Sequence, residues 1–168
     1  MTRRNFLHSV LGLAAASTVA TATEPVKVPE FAPLKKSRDE WQKLLPKDAY
    51  GVLFEEDTES PNSSALLKEH RKGLFVCAAC YLPLFDSSKK FDSGTGWPSF
   101  FDPIPGRVAT KTDYKIIFPR TEYHCARCGG HQGHRFDDGP KPTGLRYCNN
   151  GLALRFIADG EKLPELRT

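Results

Sequence analysis

Residues 74–82, LFVCAACYL, and residues 124–130, HCARCGG, decide how the rest of the chain is read. Each holds a Cys-x-x-Cys knuckle, Cys77 with Cys80 and Cys125 with Cys128, and 44 residues separate the two. So short a spacing lets one tight turn aim both sulfurs at one point. Tyr81-Leu82-Pro83 and Gly129-Gly130 are suited to making those turns. Two such knuckles brought together give a sulfur tetrahedron, the geometry of a structural Zn²⁺ site. A thioredoxin-like redox pair is the first alternative, but the doubling and the lack of a βαβ pattern argue against it. Two disulfides are the second, and a disulfide inside Cys-x-x-Cys is strained and reducible. The expectation is one structural zinc ion held by Cys77, Cys80, Cys125 and Cys128.

Outward from the knuckles, the pattern is that of strands. Leu74-Phe75-Val76 leads into Cys77, Lys115–Phe118 (KIIF) reads as a strand, and Leu152–Ile157 alternates with period two. Thirteen glycines and thirteen prolines punctuate the chain, and eleven phenylalanines promise an aromatic core. Upstream, Ser37 reads as an N-cap with Glu40 completing a capping box. Trp41, Leu44 and Leu45 form one apolar face of a short helix that Pro46 closes. Residues 55–64 read as a polar loop, and Ala65–Lys72 as a second short helix ended by Gly73. The picture is a small antiparallel β domain preceded by one or two helices.

The first 22 residues belong to export rather than to the fold. Arg3-Arg4 precedes the apolar run Phe6–Ala20, and Ala20-Thr21-Ala22 has the small-x-small pattern of a cleavage site. Thr2-Arg3-Arg4-Asn5-Phe6-Leu7 resembles a twin-arginine signal, with an ordinary Sec signal as the alternative. Thr23–Lys36, rich in proline and charge, reads as a linker; the domain then runs 37–158, and 159–168 is a tail. The expected location is the periplasm. A twin-arginine substrate crosses already folded, so zinc could be loaded before any oxidant meets the thiols. Without Arg3 and Arg4, 22 basic residues face 20 acidic ones. Four thiolates around a dication bring that close to neutral, which argues against nucleic acid and against stable membrane association. A monomer is expected.

Cys148 is left over. A buried inert thiol is the bland reading, but Arg146 and Tyr147 before it, Asn149-Asn150-Gly151 after it, and His131 and His134 beyond the second knuckle point to a reacting thiol. A cationic environment lowers a thiol's pKa, and an imidazole can protonate a leaving oxygen.

The segments Phe91–Phe100 (FDSGTGWPSF), Gly130–Pro140 (GHQGHRFDDGP) and Gly144–Asn150 (GLRYCNN) resemble the zinc-containing methionine-R-sulfoxide reductases, over about Ser37 to Ala158. The resemblance implies a mainly β fold of two antiparallel sheets with short N-terminal helices and a four-cysteine zinc site away from the active site. It makes Cys148 the nucleophile, His131 and His134 the active-site histidines, Asn150 an active-site asparagine, and Trp97 the substrate-pocket tryptophan. Phe136 falls at an aromatic position near the pocket. The implied reaction is protein repair under oxidative stress: the Cys148 thiolate attacks the sulfoxide sulfur, a histidine protonates the oxygen, and methionine leaves a sulfenic acid behind. Trp97 offers an apolar face to the methyl group and so helps choose one epimer.

Three departures matter. Thr95 stands where many relatives carry a second, resolving cysteine. The implied cycle therefore uses one cysteine, with an external thioredoxin-like or small-molecule thiol as reductant and oxidised proteins or peptides as substrates. Arg135 replaces a commonly apolar residue, and Asn62 and Leu66 replace typically aromatic ones near the pocket. Two rivals remain at this level, a zinc-ribbon binding module and a Cys–His hydrolase. The first gives no reason for Cys148 with two histidines, and the second should turn over without reductant.

Overall fold

A computed structural model of the chain describes residues 29–115 and 118–168. The expected export signal lies outside the described residues, as do the 23–28 part of the linker and Ile116 and Ile117. The order is α1 (Arg38–Leu44), α2 (Lys47–Glu55), β1 (Gly73–Cys77), β2 (Pro83–Asp86), β3 (Lys90–Phe91), β4 (Ser99–Phe100), β5 (Val108–Asp113), β6 (Arg120–Cys125), β7 (His131–Phe136), β8 (Arg146–Asn149) and β9 (Leu154–Ala158). Single 3₁₀ turns lie at Ala65–Lys68, Ser87–Lys89 and Gly151–Ala153. The strands make two antiparallel sheets, β2-β1-β9 and β3-β4-β8-β7-β6-β5. The fold is mainly β, as expected.

The capping box is in place: Ser37 N donates to Glu40 Oε2 at 2.7 Å and Glu40 N donates back to Ser37 Oγ. Of the expected apolar face, Trp41 and Leu45 are buried but Leu44 is 43 % exposed. Adjacent residues lie ~100° apart on a helix, so a helix this short can turn only one of them inward. The helix α2 is not foreseen by the sequence pattern. Its residues Ala49 to Phe54 are all buried, so it lacks an apolar stripe, and Tyr50, Gly51 and Val52 are weak helix formers. Burial against α1, β7 and the Gly151–Ala153 turn holds it. The polar loop therefore begins only at Glu56. Two further expectations need correction. The second helix shrinks to the turn Ala65–Lys68, because Gly73 opens β1 rather than capping a helix. Lys115 and Phe118 lie in bends of the β5–β6 connection, not in a strand.

An aromatic layer joins the sheets. Phe85 stacks on Phe100 at 4.2 Å between centroids, Phe75 meets Phe100 edge-on at 4.9 Å, and Tyr123 and Tyr147 pack edge to face at 5.1 Å. Phe31 and Leu34 of the expected linker pack against this core, as does Leu166 of the expected tail.

Candidate active site and metal centre

The strands β6, β7 and β8 alternate, and that alternation builds both centres. Opposite residues in an antiparallel pair share a face. The register pairs Ser99 with Cys148, Cys148 with His134, His134 with Glu122, and Glu122 with Lys111. These polar side chains therefore line one face, while Phe100, Tyr123, Tyr147 and Cys125 form the other and bury into the core. Arg135 pairs with Tyr147, which places it on the face away from Cys148.

His131 and His134 stand three residues apart, a spacing that would put them on opposite faces of a regular strand. An extra residue prevents this. Tyr123 pairs with Gly133 while His124 pairs with His131, so Gln132 bulges out of register and both histidines share the Cys148 face. Their rings lie 5.5 Å apart. Gly133 allows β7 to approach β8, since a Cβ there would overlap the Cys148 carbonyl oxygen.

A cleft of about 220 Å³ opens on this face, lined by Trp97, Phe136, His134, Cys148 and Asn150 together with Thr58, Arg120, Gly133 and Asn149. Five of the six expected active-site residues thus come together. His131 does not reach the wall: it is buried behind His134, with Nδ1 3.0 Å from Glu122 Oε1 in a geometry short of a hydrogen bond and both ring nitrogens unpartnered. None of the four knuckle cysteines touches the cleft.

Two carboxylates hold the cleft residues in place, and neither is conspicuous in the sequence. Asp113 Oδ2 accepts from His134 Nε2 at 2.8 Å and from Arg120 Nη2 at 2.7 Å. The Lys115 backbone N–H, with His134 and Arg120, holds the Asp113 carboxyl far below its usual range. An ionised Asp113 can only accept, so His134 carries its proton on Nε2 and keeps a lone pair on Nδ1. Glu59 Oε1 and Oε2 accept from the Gly151 and Leu152 N–H groups at 2.6 and 3.1 Å. Its backbone carbonyl accepts from Trp97 Nε1 and its N–H donates to Asn150 Oδ1, both at 3.1 Å. One residue of an apparently featureless polar loop thereby orients two cleft side chains.

The expected cationic activation of Cys148 is outweighed. Burial raises its pKa, against the lowering effects of nearby Arg146 and Thr95. Burial likewise lowers His134, opposed by Asp113. At neutral pH the resting pair is therefore a thiol and a neutral imidazole. Arg146 itself is bidentate to Asp138 at 2.8 and 2.9 Å and lies 4.3 Å over the Phe136 ring.

At the other centre, the sulfurs of Cys77, Cys80, Cys125 and Cys128 all lie within 4.8 Å of one another. The Cys77–Cys128 and Cys80–Cys125 separations are 3.7 and 3.6 Å. Disulfide sulfurs are ~2.05 Å apart, whereas the edge of a sulfur tetrahedron with metal–sulfur bonds of ~2.3 Å is ~3.8 Å. The separations fit a metal and exclude disulfides. The two turns match: Tyr81 N donates to Cys77 O and Gly129 N to Cys125 O, each at 2.9 Å, and Tyr81 and Gly129 both adopt left-handed φ, 65° and 73°. Glycine takes that conformation freely, whereas Tyr81 is held there by Arg167, whose guanidinium bonds its hydroxyl at 2.6 Å and covers its ring. Burial and the adjoining sulfurs push the Cys77 thiol well up, so four neighbouring thiolates need a cation to exist together.

The family profile described as "SelR domain" matches residues 45–158. A protein of Methanosarcina barkeri, "Peptide methionine sulfoxide reductase MsrB", is 48% identical over 129 residues, covering 76% of this chain and 91% of that protein. The Arabidopsis thaliana "Peptide methionine sulfoxide reductase B1, chloroplastic" is 44% identical over 158 residues, 92% of this chain and 77% of the relative. A Leptospira interrogans "Peptide methionine sulfoxide reductase MsrB" is 47% identical over 124 residues, 73% of this chain and 95% of its own length. With this match over the very residues that build the cleft and the four-sulfur cluster, the chain belongs to the SelR-domain family of peptide methionine sulfoxide reductases, the MsrB type.

Proposed function

We propose that the protein reduces methionine-R-sulfoxide in peptides and proteins to methionine, with Cys148 as the reacting thiol. The observation that carries this assignment of roles is the pairing of Cys148 with His134 across β7 and β8, at a cleft walled by Trp97 and Phe136. The resting protonation states give the proton a route. Cys148 passes its proton to the free Nδ1 of His134 and attacks the sulfoxide sulfur as thiolate. The imidazolium, steadied by Asp113, protonates the sulfoxide oxygen. The hydroxyl then shifts from the substrate sulfur to Cys148 Sγ as the sulfur–sulfur bond formed by the attack breaks, so methionine departs and Cys148 holds the oxygen as a sulfenic acid. The sulfoxide is reduced by two electrons and the thiol oxidised by two. Trp97 and Phe136 enclose the methyl group on one side, which makes the two epimers inequivalent. His131, set back from the cleft, acts through His134 rather than on substrate. An external thiol, from a thioredoxin-like protein or a small molecule, returns Cys148 to its resting state.

Turnover of separate R and S epimers of N-acetyl-methionine sulfoxide with dithiothreitol tests the reading. Activity confined to the R epimer is expected; comparable rates on S would sink it.

Zinc is the metal proposed for the four cysteines, one ion per chain. It would tie β1 to β6, and therefore one sheet to the other, without touching the chemistry. The domain runs from about residue 37 to 158, and the near-neutral mature charge fits a monomer that binds neither nucleic acid nor membrane stably. Export by the twin-arginine route into the periplasm is the reading we favour for residues 1–22, because Arg3-Arg4 precedes an apolar run. Arg3→Lys with Arg4→Lys should hold the precursor in the cytoplasm; efficient export of that double variant would show a Sec signal instead.

A further inference from the structure

Among the described residues, three arginines are buried: Arg107, Arg127 and Arg146. Arg146 is paired with Asp138, as a buried cation needs to be. Arg107 and Arg127 have no carboxylate partner among the described residues. Arg127 sits inside the second knuckle, between Cys125 and Cys128, and is only 9 % exposed. Its Nη1 crosses to the first knuckle and donates to the Cys80 carbonyl at 3.3 Å, while its Nε finds no acceptor. A single bond to a neutral carbonyl does not compensate a buried guanidinium. The other charged groups around the knuckles have the same sign. Arg155 and Arg167 lie 5.8 and 4.8 Å over the ring of Tyr81, the residue after Cys80. The shallow cleft at Cys128 and Gly129 is lined by Lys35, Lys36 and Arg38, with no acidic residue.

Building on the zinc reading of the four cysteines, we propose that Arg127 is the buried counter-cation of the metal centre and sets how fast the ion is lost. Four thiolates around a dication leave the centre doubly negative. With metal bound, that charge compensates Arg127. Without it the sulfurs return to neutral thiols, and the buried guanidinium is left uncompensated. The charge of Arg127 therefore favours the loaded state over the empty one, an effect exerted from outside the ligand set. Arg107 adds to the same field from the neighbouring strand: its carbonyl accepts from Ala126 N at 3.0 Å, and its guanidinium is held by the Pro29 carbonyl at 2.7 Å. The same field draws electron density from the thiolates and makes them poorer nucleophiles.

The test compares the zinc-loaded wild type with Arg127→Gln, which removes the charge, and Arg127→Lys, which keeps the charge and drops the planar fork. Two rates are read: transfer of zinc to excess TPEN, and alkylation of the loaded knuckle sulfurs by iodoacetamide. Both reagents are uncharged, so the cationic cleft at Cys128 does not steer them. Arg127→Gln is expected to lose zinc ~10–100-fold faster, the scale of removing an outer partner of a metal site, and to be alkylated faster. Arg127→Lys should stay close to wild type in both. Circular dichroism checks folding before release begins. Should Arg127→Gln not fold, Arg107→Gln leaves the knuckle itself intact and carries the same expectation with a smaller acceleration. Unchanged zinc loss in the charge-removing variant would overturn the assignment. Equal acceleration in Arg127→Gln and Arg127→Lys would overturn it in favour of a packing role. A wild type purified without zinc would instead remove the metal reading itself.

Discussion

Cys77→Ser combined with Cys80→Ser leaves a chain without a cooperative melting transition. A structural zinc contributes ~10–16 kcal/mol in small zinc domains, whereas a whole domain is stable by only ~5–15 kcal/mol. Removing the metal is therefore enough to cancel the fold. The position of the site sharpens the expectation, because Cys77 ends β1 in one sheet and Cys125 ends β6 in the other. Segments flanking the domain on both sides also dock there: Leu34 N donates to Arg127 O at 2.7 Å and Arg167 N to Cys80 O at 3.2 Å. Metal analysis of the purified protein should give one zinc per chain, and prolonged chelation should reproduce the unfolding of the double variant. A folded, metal-free protein with a normal melting curve would dispose of the site.

Cys148→Ser should reduce turnover by on the order of 10⁴-fold or more, the scale seen when a covalent nucleophile is removed, while zinc content and melting temperature stay as they are. The native enzyme, given R-sulfoxide and no reductant, should make one methionine per chain and stop. Mass spectrometry should then find one added oxygen on Cys148, and a dimedone probe should label it. No resolving thiol is at hand, because the other four cysteines are gathered in the four-sulfur cluster and it is Thr95, not a cysteine, that stands near Cys148. Thr95→Cys should divert the same reaction to a disulfide between the introduced thiol and Cys148, with loss of the added oxygen as water. An internal disulfide in the unaltered protein would show that a knuckle cysteine doubles as resolving thiol.

The elements that sequence makes legible are those whose signal is local. The Ser37–Glu40 capping box and the paired Cys-x-x-Cys turns are written in adjacent residues, and both are present in the structure. So is the grouping of Cys148, His134, Trp97, Phe136 and Asn150, though only resemblance to a family could assemble residues from three separate segments. What escapes is held by tertiary contact. The helix α2 is buried all round and so has no periodicity. Lys115 and Phe118 belong to a run of strand composition, yet they lie where β5 must reverse into β6. Glu59 sits in the polar run 55–64, and nothing there marks the one residue whose carboxylate anchors it to Gly151 and Leu152 and whose backbone serves Trp97 and Asn150. Asp113 is likewise silent until β5, β6 and β7 are laid side by side. The pKa of Cys148 runs against its sequence context for a related reason: the charge of Arg146 is visible in sequence, but burial is not.

The bulge at Gln132 has a consequence for how the gene can vary. Its side-chain amide reaches Cys77 Sγ at 3.6 Å, and its carbonyl accepts from Asn150 N at 2.8 Å, so the surplus residue is used from both ends. Strand pairing has a period of two, and a slip of one residue exchanges the faces of a sheet. Deleting Gln132 would turn His131 toward the core or break its alignment with His134; inserting a neighbour would do the same in the other direction. The β5–β6 connection, a few residues away on the same sheet, is a surface turn whose length no pairing counts. Length variation among descendants of this chain should thus be permitted at one end of β6 and forbidden just past the other, a difference in evolvability set by a single unpaired residue.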